Sequence, residues 1–228
     1  MTAAKRARAT LKYLFLVAFG LVLVYPLAWL ILSSFKADNR EIFGTMALLP
    51  SHWTLDGYLK GWVGSGQYGF GRFFLNTLLL VGPTVIATVI GTSLVAYGFA
   101  RFRFPLRDFL FGLMIATLML PGAVVVIPRY ILFNQLGWID SYLPFVVPAL
   151  FATNAFFVFM MVQFFRGIPM ELDESAKMDG CGPFRIFLSI LVPLTKPAIV
   201  SMVIFQFIWT WNDFFYSTIF INSVSKYT

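Results

Sequence analysis

Five apolar runs, each near or above the ~20 residues that carry a helix across a bilayer, constrain this chain more than anything else in it. They lie at about 11–34, 73–98, 108–128, 144–165 and 196–216, with ends good to about 2–4 residues. The runs are continuous and lack the polar–apolar alternation of a membrane barrel strand. In lipid a helix satisfies its own backbone hydrogen bonds, so the sequence predicts an all-α, polytopic membrane protein: a helix bundle of five spans. Composition agrees. The 228 residues are 59% hydrophobic and 12% charged, with a mean hydropathy of +0.81. A soluble domain carries about twice that share of charge. Gly20, Pro26, Gly82, Pro83, Pro121 and Gly122 fall inside the spans, where such residues either kink a helix or let helices pack closely.

Basic residues set the orientation. Most of the 17 Lys and Arg gather on one side: Lys5, Arg6, Arg8 and Lys12 before the first span; Arg101, Arg103 and Arg107 after the second; Arg166, Lys177, Arg185 and Lys196 around the insert before the fifth. The other side holds Lys36, Arg40, Lys60, Arg72, Arg129 and Lys226. Residues 1–10 and 166–195 are therefore expected in the cytoplasm, and the chain in the cell (plasma or inner) membrane. This bias accounts for the net charge of +7 without a nucleic-acid partner, because the basic residues flank spans instead of forming one patch. The first span is too long for a signal-peptide core and has no clear cleavage site, so it reads as an uncleaved anchor. One cysteine, Cys181, excludes an intrachain disulfide. His52 has no second ligand at metal spacing. No metal, cofactor or catalytic residue is assigned.

Residues 35–72 form an expected external loop in which Trp53, Tyr58, Trp62 and Tyr68 suit the headgroup zone or a partner surface. A second external loop covers 129–143, with room for a short surface helix. Polar residues in the apolar layer are costly and point to helix–helix glue or to a polar path. Asn154, near the middle of the fourth span, and Asn212 with Asp213, at the end of the fifth, are the candidates for a translocation path. For Asp213 a structural role and a solute contact both stay open.

The insert Arg166–Pro193 carries the strongest local signals. Pro169 suits a helix start. Glu171, Asp173 and Glu174 place negative charge at the positive helix end. Asp173 and Lys177, spaced i, i+4, can pair. Leu172, Ser175, Ala176 and Asp179 share one low face open to close approach by a partner. Gly180 supplies the backbone angles that end a helix. Gly182-Pro183 opens a second segment, Phe184 to Leu191, and Pro193 and Pro197 turn the chain back into the bilayer. The expectation is a short helix–turn–helix at the cytoplasmic surface. From physical chemistry alone, an amphipathic loop with no partner fits as well.

Glu174-Ser-Ala, three residues, Gly180, nine residues, Ile190, one residue, Val192-Pro193 closely resembles the cytoplasmic-loop signature of binding-protein-dependent ABC importer permeases: Glu-Ala-Ala, three residues, Gly, nine residues, Ile, one residue, Leu-Pro. Ser175 and Val192 are mild departures. Ile168 to Gly180, Ser33-Ser-Phe-Lys36, Asn76-Thr77, Ala96 to Pro105 and Trp211-Asn-Asp213 resemble the carbohydrate, maltose-type branch, and within it the smaller of the two permease subunits.

The resemblance covers nearly the whole chain. It implies a type I permease bundle working by alternating access, with a second homologous permease, two cytoplasmic ATPases, an extracytoplasmic solute-binding protein and membrane lipid as partners. It also implies a sugar or sugar-like solute. Glu174, Ser175, Ala176, Asp179, Gly180 and Pro193 become the residues that couple to the ATPases, with Glu174 pairing with a basic group in the ATPase cleft. Such permeases have six spans. Five are seen here and the chain stops at Thr228, so the resemblance implies a missing last span, from a truncation or a short product.

The chain has no phosphate-cradling Gly-x-x-x-x-Gly-Lys-Ser/Thr loop and is not itself expected to be an ATPase. An ATP-independent transporter or channel would need intramembrane ionisable groups, of which only Asp213 offers one. A membrane enzyme would need clustered His, Cys or carboxylates, and one His and one Cys argue against it.

Overall fold

The structure, a computed structural model, describes residues 3–44, 47–64 and 66–228. The first two residues of the expected 1–10 segment and the side chain of Arg6 lie outside the described residues. The described residues are mainly helical, with no strand among them. They fall into two compact units, 1–71 and 72–228.

The first unit holds α1 (Ala3–Ser33), α2 (Asn39–Gly44) and α3 (Asp56–Val63). The last two are short helices inside the expected 35–72 loop. From Leu11 to Ile31 the large apolar side chains of α1 other than Trp29 are exposed, as suits a helix solvated by lipid. Beyond it, Phe35 packs on Trp53 and Tyr58. Lys36 is buried and donates to the carbonyl of Ala47 at 2.7 Å.

The second unit is built on α4 (Phe70–Arg101), whose 32 residues run unbroken through Pro83. Two helices follow: α5 (Arg107–Ala116), extended by a 3-10 turn over Thr117–Met119, and α6 (Gly122–Gln135). The expected single span over 108–128 is thus two helices at 106° to each other. Pro121 is the cause. It has no N–H to continue the ladder and forces Leu120 out of the helical region, to ψ 122°. α6 also runs to Gln135, so helix replaces the first half of the expected 129–143 loop.

The fourth run divides as well, into α7 (Leu143–Leu150) and α8 (Ala155–Arg166). The break holds Ala152 at φ +54°. Then come α9 (Glu171–Met178), α10 (Pro183–Ile186), a π turn over Phe187–Leu191 and α11 (Val192–Leu194). α12 (Lys196–Trp211) is bent 77° from the Pro183–Leu194 stretch, the turn expected at Pro193 and Pro197. The fifth run ends at Trp211, not 216, and α13 (Phe215–Phe220) is separate. Among the described residues, three helical stretches are long and apolar enough to cross a membrane, α1, α4 and α7 with α8 taken together, or up to five if each bent pair counts as one.

The core of this unit is apolar, with aromatic rings among aliphatic side chains. Tyr97 of α4, Phe157, Met161 and Phe165 of α8, Phe187 and Leu191 of the π turn, and Met202 of α12 form one buried cluster. α4 approaches its neighbours on a face of small side chains: Thr84, Ala87, Thr88, Gly91 and Thr92 are all buried. Thr84 and Thr88 satisfy their hydroxyls on carbonyls four residues back. At Gly91 the carbonyl of Leu150 sits so close that a Cβ would overlap it.

Candidate functional site

Two polar clusters sit at opposite ends of α4. The first gathers the insert. α9 starts two residues later than Pro169 implies: it begins at Glu171, with Met170 as N-cap. It ends in a Schellman turn, in which Gly180 at φ +79° lets its own N–H reach Lys177 O (3.0 Å) and the Cys181 N–H reach Ala176 O (2.9 Å).

Burial corrects the expected docking face. Asp173 and Ala176 point inward, while Leu172, Glu174, Ser175, Lys177, Met178 and Asp179 are exposed. Ala176 is therefore packed against its own chain and is not open to a partner. The inward direction is set by charge. Asp173 does not pair with Lys177. Its Oδ2 lies 3.1 Å from Arg101 Nε, in an ion pair whose two side chains are each 4% exposed. Arg101, the last residue of α4, also donates through Nη2 to Ile168 O at 2.9 Å and through Nη1 to Met170 Sδ at 3.0 Å.

One turn earlier on α4, the Tyr97 hydroxyl donates to Pro183 O at 2.9 Å. Tyr97 and Arg101 share one face of α4 and hold the two limbs of the helix–turn–helix. The second limb is irregular for a local reason. Pro193 has no N–H to offer the Ser189 carbonyl, and just upstream the helix is wound as a π turn, a feature common at functional sites. Pro193 itself is exposed. Beside this cluster the Arg166 guanidinium lies 5.2 Å over the Phe111 ring.

The second cluster lies near the start of α4. Asp140, at φ +60°, receives Lys226 Nζ at 2.8 Å, the Ser223 hydroxyl at 2.7 Å and the backbone N–H groups of Asn222 and Ser223. The Lys226 ammonium and these donors hold its carboxyl well below the usual carboxylate range. Asn76 donates to the carbonyls of Ser225 and Tyr227.

Of the path candidates, Asn154 caps α8, accepting the Phe156 N–H at 3.1 Å. Asn212 donates to Ile208 O, and Asp213 accepts the Tyr216 N–H. The rings of Phe156 and Phe157 pack on Trp209, which brings the start of α8 beside the end of α12. All three polar groups thus serve local backbone there.

Residues 87–225 match the family described as binding-protein-dependent transport system inner membrane component. The chain belongs to that family. The permease is 34% identical, over 95% of its length and 73% of the relative's, to the polygalacturonan/rhamnogalacturonan transport system permease protein YtcP of Bacillus subtilis. It is 28% identical, over 92% of its length and 68% of the relative's, to the diacetylchitobiose uptake system permease protein NgcG of Streptomyces coelicolor. In fold it is similar to a solved bacterial ABC transporter involved in the import of the acidic polysaccharide alginate, with a TM-score of 0.84 at 23% identity, over 99% of the permease and 78% of that chain.

The Arg101–Asp173 pair went unforeseen. Arg101 counted only as a topological charge, and Asp173 had a plausible partner four residues away. The small-residue face Thr84-x-x-Ala87-Thr88-x-x-Gly91-Thr92 was present in the sequence as a close-packing signal.

Proposed function

We propose that the permease is one membrane-spanning subunit of an ATP-driven, binding-protein-dependent importer for an oligosaccharide or related sugar-like solute. Its partners are a second, homologous permease, two ATPases and an extracytoplasmic solute-binding protein. In this reading the N-terminus and α9 are cytoplasmic, as the distribution of Arg and Lys supports. The observation that carries it is α9 itself. It is a short helix with an exposed outer face, closed by a glycine turn and anchored by a buried ion pair to the end of a 32-residue helix.

Glu174, Ser175 and Asp179 lie on the exposed side and form the surface offered to an ATPase cleft, with Glu174 pairing with a basic group there. Gly180 sets the turn behind that surface, and Pro193 the bend into α12. Nucleotide-driven closure of the ATPases would move α9 and tilt the spans, opening the path first outward and then inward. Such coupling requires contacts that differ between the two states. The sugar assignment is supported by the relatives' names, which specify polygalacturonan/rhamnogalacturonan transport and diacetylchitobiose uptake. An ATP-independent transporter is disfavoured by family membership.

The test is a crosslink from Ser175→Cys in a Cys181→Ala background to the ATPase subunits, with and without ATP, in membranes holding the assembled complex. A nucleotide-sensitive crosslink is expected. None at Ser175 or at Met178→Cys would remove the coupling role. For the solute, uptake of labelled galacturono-, chito- and arabino-oligosaccharides into cells with and without the permease gene separates sugar import from other cargo.

A further inference from the structure

Building on the reading that α9 receives the push of an ATPase, we infer that Arg101 is the positioning residue that carries this movement into α4. It does so through an ion pair with Asp173 that is only half engaged in the present state.

The hydrogen-bond inventory supports this. A guanidinium and a carboxylate that fully engage make two parallel bonds. Here Oδ2 lies 3.1 Å from Nε, and Nε is buried without completing a hydrogen bond. Asp173 Oδ1 is buried without a hydrogen-bond partner. Nη1 is spent on a thioether, a weak acceptor, and Nη2 on the Ile168 carbonyl. A buried acceptor left without a donor is costly, so this arrangement favours any shift of α9 that turns the fork onto both oxygens.

Helix movements of about 1–2 Å at interfaces are common in coupled systems, and a movement of that size suffices to exchange these partners. The other limb gives a fixed reference, because Tyr97 on the same face of α4 makes a well-formed bond to Pro183 O. One limb is thus pinned, while the other is held by a contact with a second, better arrangement within reach. Stability alone does not account for the pair, since a buried ion pair is often no more stabilising than apolar groups of the same volume.

The experiment uses the assembled complex in proteoliposomes. Transmission is read as the rate at which a membrane-impermeant maleimide labels Asn212→Cys, in the Cys181→Ala background, with and without a non-hydrolysable ATP analogue. In the otherwise unaltered permease the analogue is expected to change that rate about tenfold, a usual size for coupling between sites. In the Arg101→Met/Asp173→Leu double variant, whose apolar pair keeps the packing, the response is expected to vanish while thermal stability and the Ser175→Cys crosslink persist. A double variant that keeps the full response overturns the inference, as does Asp173→Asn if it keeps it.

A further arm needs no change to the pair. Spin labels at Gly98→Cys, a position with open space for a side chain, and at Met178→Cys are expected to move relative to one another on nucleotide binding. An unchanged distance overturns the inference whether or not the variants assemble. Loss of the crosslink itself would instead undo the coupling role of α9, which keeps the two failures apart.

Discussion

The Tyr97 hydroxyl donates to the carbonyl of Pro183 across 86 residues of sequence, at 2.9 Å. This bond ties the last turns of α4 to the limb that leads into α12. Its ring lies within the aromatic group of Phe102, Phe165 and Phe187. Tyr97→Phe removes only the hydrogen bond and should cost about 1 kcal/mol. Tyr97→Ala also removes a buried ring and should cost about 3–5 kcal/mol. Unfolding of the detergent-solubilised permease measures both, and equal effects would show that the bond, not the ring, holds this junction.

At Gly91 the reason for a small residue is contact, since the Leu150 carbonyl occupies the place of a side chain. Gly91→Val should force α4 and α7 apart and cost about 1–3 kcal/mol or more from overpacking. Gly98→Ala, on the same helix but with open space, should be neutral or stabilising by up to about 1 kcal/mol. Comparing the two by thermal unfolding isolates contact from backbone effects.

For Gly180 the reason is conformation. Nothing crowds its Cβ position, but φ is +79°. Gly180→Ala should therefore cost about 1–2 kcal/mol, and Gly180→Asn less, because Asn tolerates the left-handed region. Gly180→Leu should leave membrane insertion intact and abolish coupling between ATP hydrolysis and uptake. Normal uptake in Gly180→Leu would mean that the turn does not aim α9.

Asp140 gives a pH dependence. Its folded carboxyl titrates below the unfolded value because Lys226 and the donors of Ser223 and Asn222 favour the charged form. The stability it contributes is fully present above the unfolded pKa of about 4 and is lost as pH falls below it toward the folded value. Melting temperature followed from pH 6 down to pH 3 should fall more steeply for the unaltered permease than for Asp140→Asn, which has already lost that contribution. Parallel curves would show that the Asp140–Lys226 contact adds nothing in solution.

Much of this was written locally in the chain, and what was not was written far apart. Apolar runs located the long helices α1 and α4 because burial in lipid needs only composition and length. The turn at Gly180 and the bend after Pro193 were readable because glycine and proline act on their own backbone. The break at Leu120–Pro121 is also local, yet a continuous apolar run masked it. The α7–α8 break had no such signal, since Ala152 and Thr153 punctuate weakly. Asp173 shows the limit most clearly. Lys177 was the near partner, but Arg101, 72 positions earlier, sits on the buried side and wins because a buried carboxylate needs a buried cation. Ala176, three residues on and on the same face of α9, follows Asp173 inward, leaving Ser175 and Met178 as the residues to probe.

The uncovered length of α1 has a practical outcome. Apolar surface is harmless among acyl chains but unfavourable by about 25 cal/mol for each Å² placed in water, and this rod leaves most of its large side chains between Leu11 and Ile31 exposed. Any preparation stripped of detergent or lipid will report how fast such rods clump, and not how firmly the polypeptide is folded.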